Sequence, residues 1–113
     1  MEGSLVSSMD LLWTNTEGNF AAGTQKISLD LTKYNGIIIQ FIGYIGWVNK
    51  WHFYIPKNSN LKCSVSVEQD STTQGGAWWR VVDVDTTFVN IGYALDSASS
   101  ARERHIPNKI FGL

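Results

Sequence analysis

The side chains best suited to chemistry are few, and their spacing matches no catalytic or metal site. His52 and His105 lie far apart, without the close spacing of a metal-binding pair and without an evident Ser or Cys partner. Asp83 and Asp85 share a strand face near a turn, but calcium takes six to eight oxygen ligands, so a solvated hairpin end is favoured. Cys63 lies in an alternating apolar and polar run, which predicts a buried small hydrophobic residue. We therefore expect no enzyme activity, no metal and no cofactor.

The pair Trp78-Trp79 is the best candidate for contact with a ligand. Neighbouring residues on a strand point to opposite faces, so one ring faces outward unless the sheet is covered on both sides. The apolar residues that follow favour Trp78 inside, although a bulge after the preceding glycines would reverse the two. We predict that Trp79 and Arg80 bind a ligand, with the Trp79 ring stacked on a carbohydrate. An outer tryptophan covered by a neighbouring subunit is the alternative.

A second aromatic stretch, residues 47–55, is predicted to be a strand with two unlike faces. The more apolar face, which we expect in the core, carries Trp47, Asn49, Trp51, Phe53 and Ile55. Its two tryptophans would stand about 13 Å apart, too far to stack together on one sugar ring. The opposite face presents Lys50, His52 and Tyr54, which we predict to be a second, polar ligand-binding patch.

Composition sets limits on the class of protein. The 113 residues, 43% hydrophobic and 17% charged, suit one β-rich domain. Nine basic against ten acidic residues give a net charge of -1, which argues against nucleic-acid binding. No apolar run reaches the roughly 20 residues of a membrane-spanning helix, and the start lacks signal-peptide features. We expect a flexible N-terminal segment or linker at residues 1–9 and one domain at residues 10–113, without membrane insertion.

Short strand-like runs recur about every ten residues, with turn residues between them. Asn35-Gly36 signals a hairpin because both residues tolerate positive φ, and a further turn is expected at Asp85-Thr86. The runs cover residues 10–14, 25–31, 36–44, 47–55, 61–68, 77–84, 87–95 and 106–113. The pattern predicts an all-β, single-domain β-sandwich, jelly-roll-like, of about eight antiparallel strands.

Three segments resemble a known module. Residues 11–15 (LLWTN), 20–34 (FAAGTQKISLDLTKY) and 106–112 (IPNKIFG) are similar to a pattern at the C-termini of bacteriophage and prophage tail, baseplate and receptor-binding proteins. That pattern opens with LLWTN, continues with a SLDLS.YD segment and closes with IPYKIYG. The matching segments frame the chain, whereas residues 45–100 carry no matching motif. They are apolar and structural, so they indicate a family without indicating an active site.

The resemblance implies a non-enzymatic tail or baseplate module that binds a host-surface receptor or glycan. It further implies a homotrimer within the virion, made in the bacterial cytoplasm. The first and last strands are expected to pair, as is common in a jelly roll. A monomeric carbohydrate-binding module that works beside a hydrolase is the alternative, supported by five tryptophans in a β-sandwich. A small hydrolase is disfavoured because no catalytic constellation is evident.

Overall fold

The computed structural model describes residues 9–21, 23–44, 46, 48–67, 76–92 and 104–113. Within these residues the chain forms strands and no helix. The strands are β1 (Asp10–Thr14), β2 (Gln25–Ser28), β3 (Gly36–Tyr44), β4 (Lys50–Pro56), β5 (Ser59–Val67), β6 (Gly76–Val84), β7 (Phe88–Ile91) and β8 (Arg104–Gly112). The all-β prediction is confirmed. The predicted linker falls mostly on residues 1–8, which lie outside the described residues.

The strands form two four-stranded antiparallel sheets that pack face to face. The first sheet has the order β1-β8-β3-β4 and the second the order β2-β7-β6-β5. The pairs β1–β8 and β2–β7 join the first strand to the last and the second to the next-to-last, which gives the fold its jelly-roll-like character. Three hairpins, β3–β4, β5–β6 and β6–β7, and the pairing of β3 with β8 complete the sheets. The β-sandwich prediction is thereby confirmed.

The Asn35-Gly36 hairpin is a wrong prediction. β2 and β3 lie in different sheets, and neither residue has positive φ. Gly36 is required for another reason: a Cβ there would lie 2.5 Å from the Ile55 carbonyl oxygen of β4. The tight turn with positive φ occurs instead at Asn58, where the chain passes from the first sheet to the second. The predicted hairpin at Asp85-Thr86 does form, between β6 and β7.

The core is a single layer of aliphatic and aromatic side chains between the sheets. Alternation along each strand supplies it, because every second residue points inward. The fully buried members are Leu31, Ile37, Ile39, Phe41, Ile55, Cys63, Val82, Val84, Val89, Ile91 and Ile110. The burial predicted for Cys63 is therefore confirmed.

The two chain ends close the sandwich together. Leu11 pairs with Phe111, and Thr14 pairs with Lys109, with a bulge between the two positions. Beside them, Asn35 N–H and Gly36 N–H both donate to the Leu113 carbonyl, at 2.9 and 3.3 Å. β8 is consequently an inner strand, paired on one side with β1 and on the other with β3.

We predict that deletion of residues 109–113 unfolds the domain. It would remove the fully buried Ile110 and the partners of both β1 and β3. A buried side chain of this size is worth about 1.5–3 kcal/mol, and exposed backbone groups add to the loss, against a typical total of about 5–15 kcal/mol. Circular dichroism melts should show no cooperative transition. As a control, Lys109→Ala should melt close to the parent, and a cooperative melt of the deletion near the parent temperature would contradict the prediction.

Candidate functional site

The outer face of the second sheet carries the predicted tryptophan. Arg80, Val82 and Val84 of β6 point into the core, so the alternate residues of this strand point to solvent. We define the Trp79 face by the outward residues Trp79, Val81, Asp83, Lys62, Asn60 and Asn90. The side chain of Trp78, predicted to point inward, lies outside the described part of the chain.

Trp79 itself is part-buried and sits at one end of this face. It pairs with Ser64 on β5, and the Nζ atom of Lys62 lies 3.8 Å from the centre of its ring. Such an exposed cation–π contact is worth only about 0.5–1 kcal/mol. The lysine therefore covers the ring loosely and can be displaced by a ligand.

A shallow depression lies on the same outer face and includes Val81, two residues along β6 from Trp79, although the Trp79 ring is not part of its lining. Gly92 N–H donates to the Val81 carbonyl at 2.7 Å, and a Cβ on Gly92 would lie 3.1 Å from the same carbonyl oxygen. The depression has a volume of about 270 Å³. It is lined by Thr24, Asn60, Val81, Asp83, Asn90 and Gly92. An apolar floor surrounded by amides, a hydroxyl and one carboxylate suits a ligand with both apolar and hydroxyl-bearing surface.

Arg80 does not belong to this face, which corrects its prediction as a ligand contact. Its side chain is fully buried because it points inward from β6. Nε donates to the His105 carbonyl at 2.8 Å, and one terminal nitrogen donates to the carbonyls of Ala21 and Gly92 at 2.9 and 3.1 Å. The guanidinium also lies 5.0 Å from the centre of the Phe20 ring. Arg80 is a structural residue that joins three segments of the chain.

His105 completes this buried cluster. It has a φ of 49°, is fully buried, and stacks on Phe41 with ring centres 4.2 Å apart. Its Nε2 atom lies 2.7 Å from the Cys63 carbonyl oxygen, which only accepts, so Nε2 carries the proton. The other ring nitrogen has no hydrogen-bond partner among the described residues. Burial lowers the pKa of His105 to about 4. The hydrogen bond to Cys63 acts in the opposite direction and raises the pKa, whereas the Arg80 charge makes a smaller contribution that lowers it.

Cys63 is unsuited to nucleophilic chemistry at neutral pH. Its side chain is fully buried, and burial raises the pKa of the thiol to about 12. The thiolate is the nucleophilic form of cysteine, so the group stays unreactive under ordinary conditions.

The second predicted patch lies on the outer face of the first sheet. Lys50, His52 and Tyr54 are exposed on β4, as the alternation predicts, and the inward Ile55 is buried. Asn108 Nδ2 donates to Gln40 Oε1 at 2.6 Å, so Gln40 presents its amino group, 3.0 Å away, to His52 Nε2. His52 is thereby held as an acceptor at that nitrogen. Trp47, expected in the core, lies outside the described residues.

A further cavity, not predicted from the sequence, lies under the loop between β1 and β2. This loop pocket has a volume of about 390 Å³. It is lined by Trp13, Thr14, Asn15, Thr16, Glu17, Asn19, Phe20, Ala21 and Gln25. Residues 11–15 and 20–34 are interpreted from the sequence as scaffold. The sequence does not indicate the pocket, because the loop is held in place by Pro107 and Arg80, which lie far away in the chain.

Asn15 holds the loop in shape. Its Nδ2 atom donates to the carbonyls of Asn19 and Pro107, both at 2.9 Å, and its Oδ1 accepts from Glu17 N–H at 2.8 Å. Its own N–H donates to the Asn108 carbonyl at 2.8 Å. One side chain thus fixes the loop internally and attaches it to β8.

Neither a metal cluster nor a membrane-spanning helix accompanies these surfaces. The described residues contain no group of three or more His, Cys, Asp or Glu side chains placed to hold a metal ion. Within the same residues, no helix has the length and apolar character to cross a membrane. Comparisons with protein-family models, curated proteins and solved structures found no match.

We predict that acid destabilises the fold through His105. The unfolded imidazole keeps a pKa near 6.5, whereas the folded one stays neutral down to about 4. The unfolded state therefore binds more protons between these values, and stability falls as pH is lowered through that window. Urea unfolding should show a loss of about 2–3 kcal/mol between pH 7 and about pH 4.5. The His52→Ala variant should retain this loss, and constant stability across the window would contradict the role of His105.

Proposed function

We propose that the chain is a non-enzymatic structural module of a phage or prophage tail or baseplate that binds a glycan on the host surface. The phage assignment is supported by the resemblance of residues 11–15, 20–34 and 106–112 to tail-protein segments. The binding assignment is supported by one observation, the part-exposed Trp79 ring on the same outer sheet face as a shallow depression lined by amide, hydroxyl, carboxylate and apolar groups.

A glycan fits this face better than the other common ligands of flat surfaces do. Sugar rings present C–H groups that pack on an aromatic face and hydroxyls that bond to amides and carboxylates. Trp79 provides the aromatic face, and Asn60, Asn90 and Asp83 provide the polar groups. A nucleic acid would need a cluster of cations on this face. It is disfavoured because the Asp83 carboxylate lies in the middle of the face and would repel phosphate groups.

Assembly as a homotrimer is part of the proposal. A row of apolar side chains crosses the outer face of the first sheet, from Leu11 through Phe111 and Ile38 to Tyr54. Leu11 is 53% exposed and Tyr54 is 46% exposed. A continuous apolar row on a sheet face is suited to cover by another copy of the chain. The Trp79 face is on the opposite side of the sandwich and stays open in such an assembly.

The second candidate is a monomeric carbohydrate-binding module beside a hydrolase. It uses the same Trp79 face and differs in oligomeric state. The apolar row favours the oligomer over this alternative.

We predict that Trp79→Ala weakens glycan binding at least tenfold without unfolding the domain. A stacked ring contributes about 0.5–1.5 kcal/mol beyond its buried area, and 1.4 kcal/mol is tenfold in affinity. Hits from a bacterial glycan array should be titrated by calorimetry. Lys62→Ala, which uncovers the ring, should not weaken binding of a neutral glycan. The absence of any glycan hit, or equal affinity of Trp79→Ala and parent, would refute the site.

We predict a trimer in solution at micromolar concentration, measured by light scattering. Leu11→Glu places a charge in the apolar row and should produce monomers, because a buried unpaired charge is costly. Val48→Glu is the matched control, since Val48 is 81% exposed and lies outside the row. A parent protein that is strictly monomeric would support the monomeric module instead.

A further inference from the structure

We propose that the loop pocket is a second binding site, which accepts one neutral sugar ring. The loop pocket lies between β1 and β2, apart from the residues of the Trp79 face. Its volume of about 390 Å³ lies within the range of small-molecule sites, roughly 300–1,000 Å³. The site goes beyond the proposed function, because glycan binding at Trp79 does not require it.

The apolar part of the pocket is an aromatic corner. The Trp13 and Phe20 rings lie 6.1 Å apart, centre to centre, with their planes at 90°. Perpendicular rings leave an angle in which the C–H face of a pyranose can pack against one ring and its edge against the other. Both residues also pack against the core, so the corner is rigid.

The charges around the pocket favour a neutral ligand. Arg80 already places a guanidinium 5.0 Å from the Phe20 ring, so a second cation at this ring would be repelled. Glu17 is the charged residue of the lining, so it would repel an anion and attract a cation. A phosphate or carboxylate is therefore disfavoured, and an organic ammonium ion meets two opposing charges that offset each other. A hydroxyl-bearing neutral molecule meets neither penalty.

Polar groups remain for such a ligand. Among the described hydrogen bonds, none uses the hydroxyl of Thr14 or Thr16 or the carboxylate of Glu17. These groups can donate to and accept from sugar hydroxyls. The Asn15 side chain, in contrast, is fully engaged in holding the loop, so it shapes the pocket without binding the ligand.

The pocket is preorganised from both sides. Asn15 attaches the first half of the loop to Pro107, and Arg80 attaches the second half through the Ala21 carbonyl. Because the loop is already ordered, a ligand does not have to order it on binding. We therefore expect binding of single sugars in the millimolar range, which is detectable by NMR.

The test uses free monosaccharides and the full chain. Glucose, galactose, rhamnose and N-acetylglucosamine are each titrated to about 50 mM against ¹⁵N-labelled protein. We expect saturable shifts of the Trp13 indole N–H and the Glu17 amide for at least one sugar. The double variant Thr16→Val/Glu17→Gln should bind the sugar at least fivefold more weakly, as measured from these shifts. It should keep the parent melting temperature, because both side chains are exposed.

Two controls separate this site from the proposed function. Trp79→Ala should leave the Trp13 shifts unchanged, and Thr16→Val/Glu17→Gln should leave binding at the Trp79 face unchanged. Choline tests the charge argument, and tighter binding of choline than of every sugar would overturn the neutral-ligand assignment. Absence of shifts at Trp13 for all four sugars, or an unchanged affinity in the double variant, would overturn the site.

Discussion

The buried guanidinium of Arg80 is the constraint to which most other features of the structure are tied. A charge without solvent is tolerated only if its hydrogen bonds are provided by the protein. Here Nε and one terminal nitrogen donate to the carbonyls of His105, Ala21 and Gly92, from β8, from the loop after β1 and from the end of β7. The left-handed backbone of His105, with a φ of 49°, belongs to this same arrangement. Arg80 therefore ties the two sheets and the pocket loop to one point.

The segments that resemble tail proteins form one structural unit. Asn15, which ends LLWTN, donates to Pro107 of IPNKIFG, and Tyr34, which ends SLDLTKY, donates to Asp10 at 2.5 Å. A Cβ on Gly112 would lie 2.7 Å from the Tyr34 ring, so glycine is required there. These contacts explain in physical terms why such distant segments would occur together. They describe a scaffold, and they involve none of the residues of the Trp79 face.

Much of the fold follows from local alternation, and the candidate site does so only in part. Period-two patterns correctly placed Ile55 inside and His52 outside, and the apolar chain ends correctly predicted the pairing of β1 with β8. The burial of Arg80 could not be predicted in the same way, because arginine is rarely buried and its partners lie far away in the sequence. The hairpin predicted at Asn35-Gly36 is wrong although its local preference for a turn is strong. Gly36 is instead needed where β4 approaches closely. Predictions from neighbouring residues therefore fail where a contact with backbone far away in the sequence determines the conformation or burial of a residue.

A two-sheet sandwich has two outer faces, and here they differ in character. The first sheet exposes an apolar row that ends in Leu11 and Tyr54, whereas the second exposes Trp79 among lysine, amide and carboxylate groups. Covering apolar surface with another protein surface is favourable because it removes that surface from water. A mixed polar surface, in contrast, is well hydrated until a ligand binds. This difference supports the proposed division between an assembly face and a ligand face. If copies assemble through the first sheet as proposed, the second sheet stays accessible, and several ligand faces on one assembly would multiply weak individual affinities.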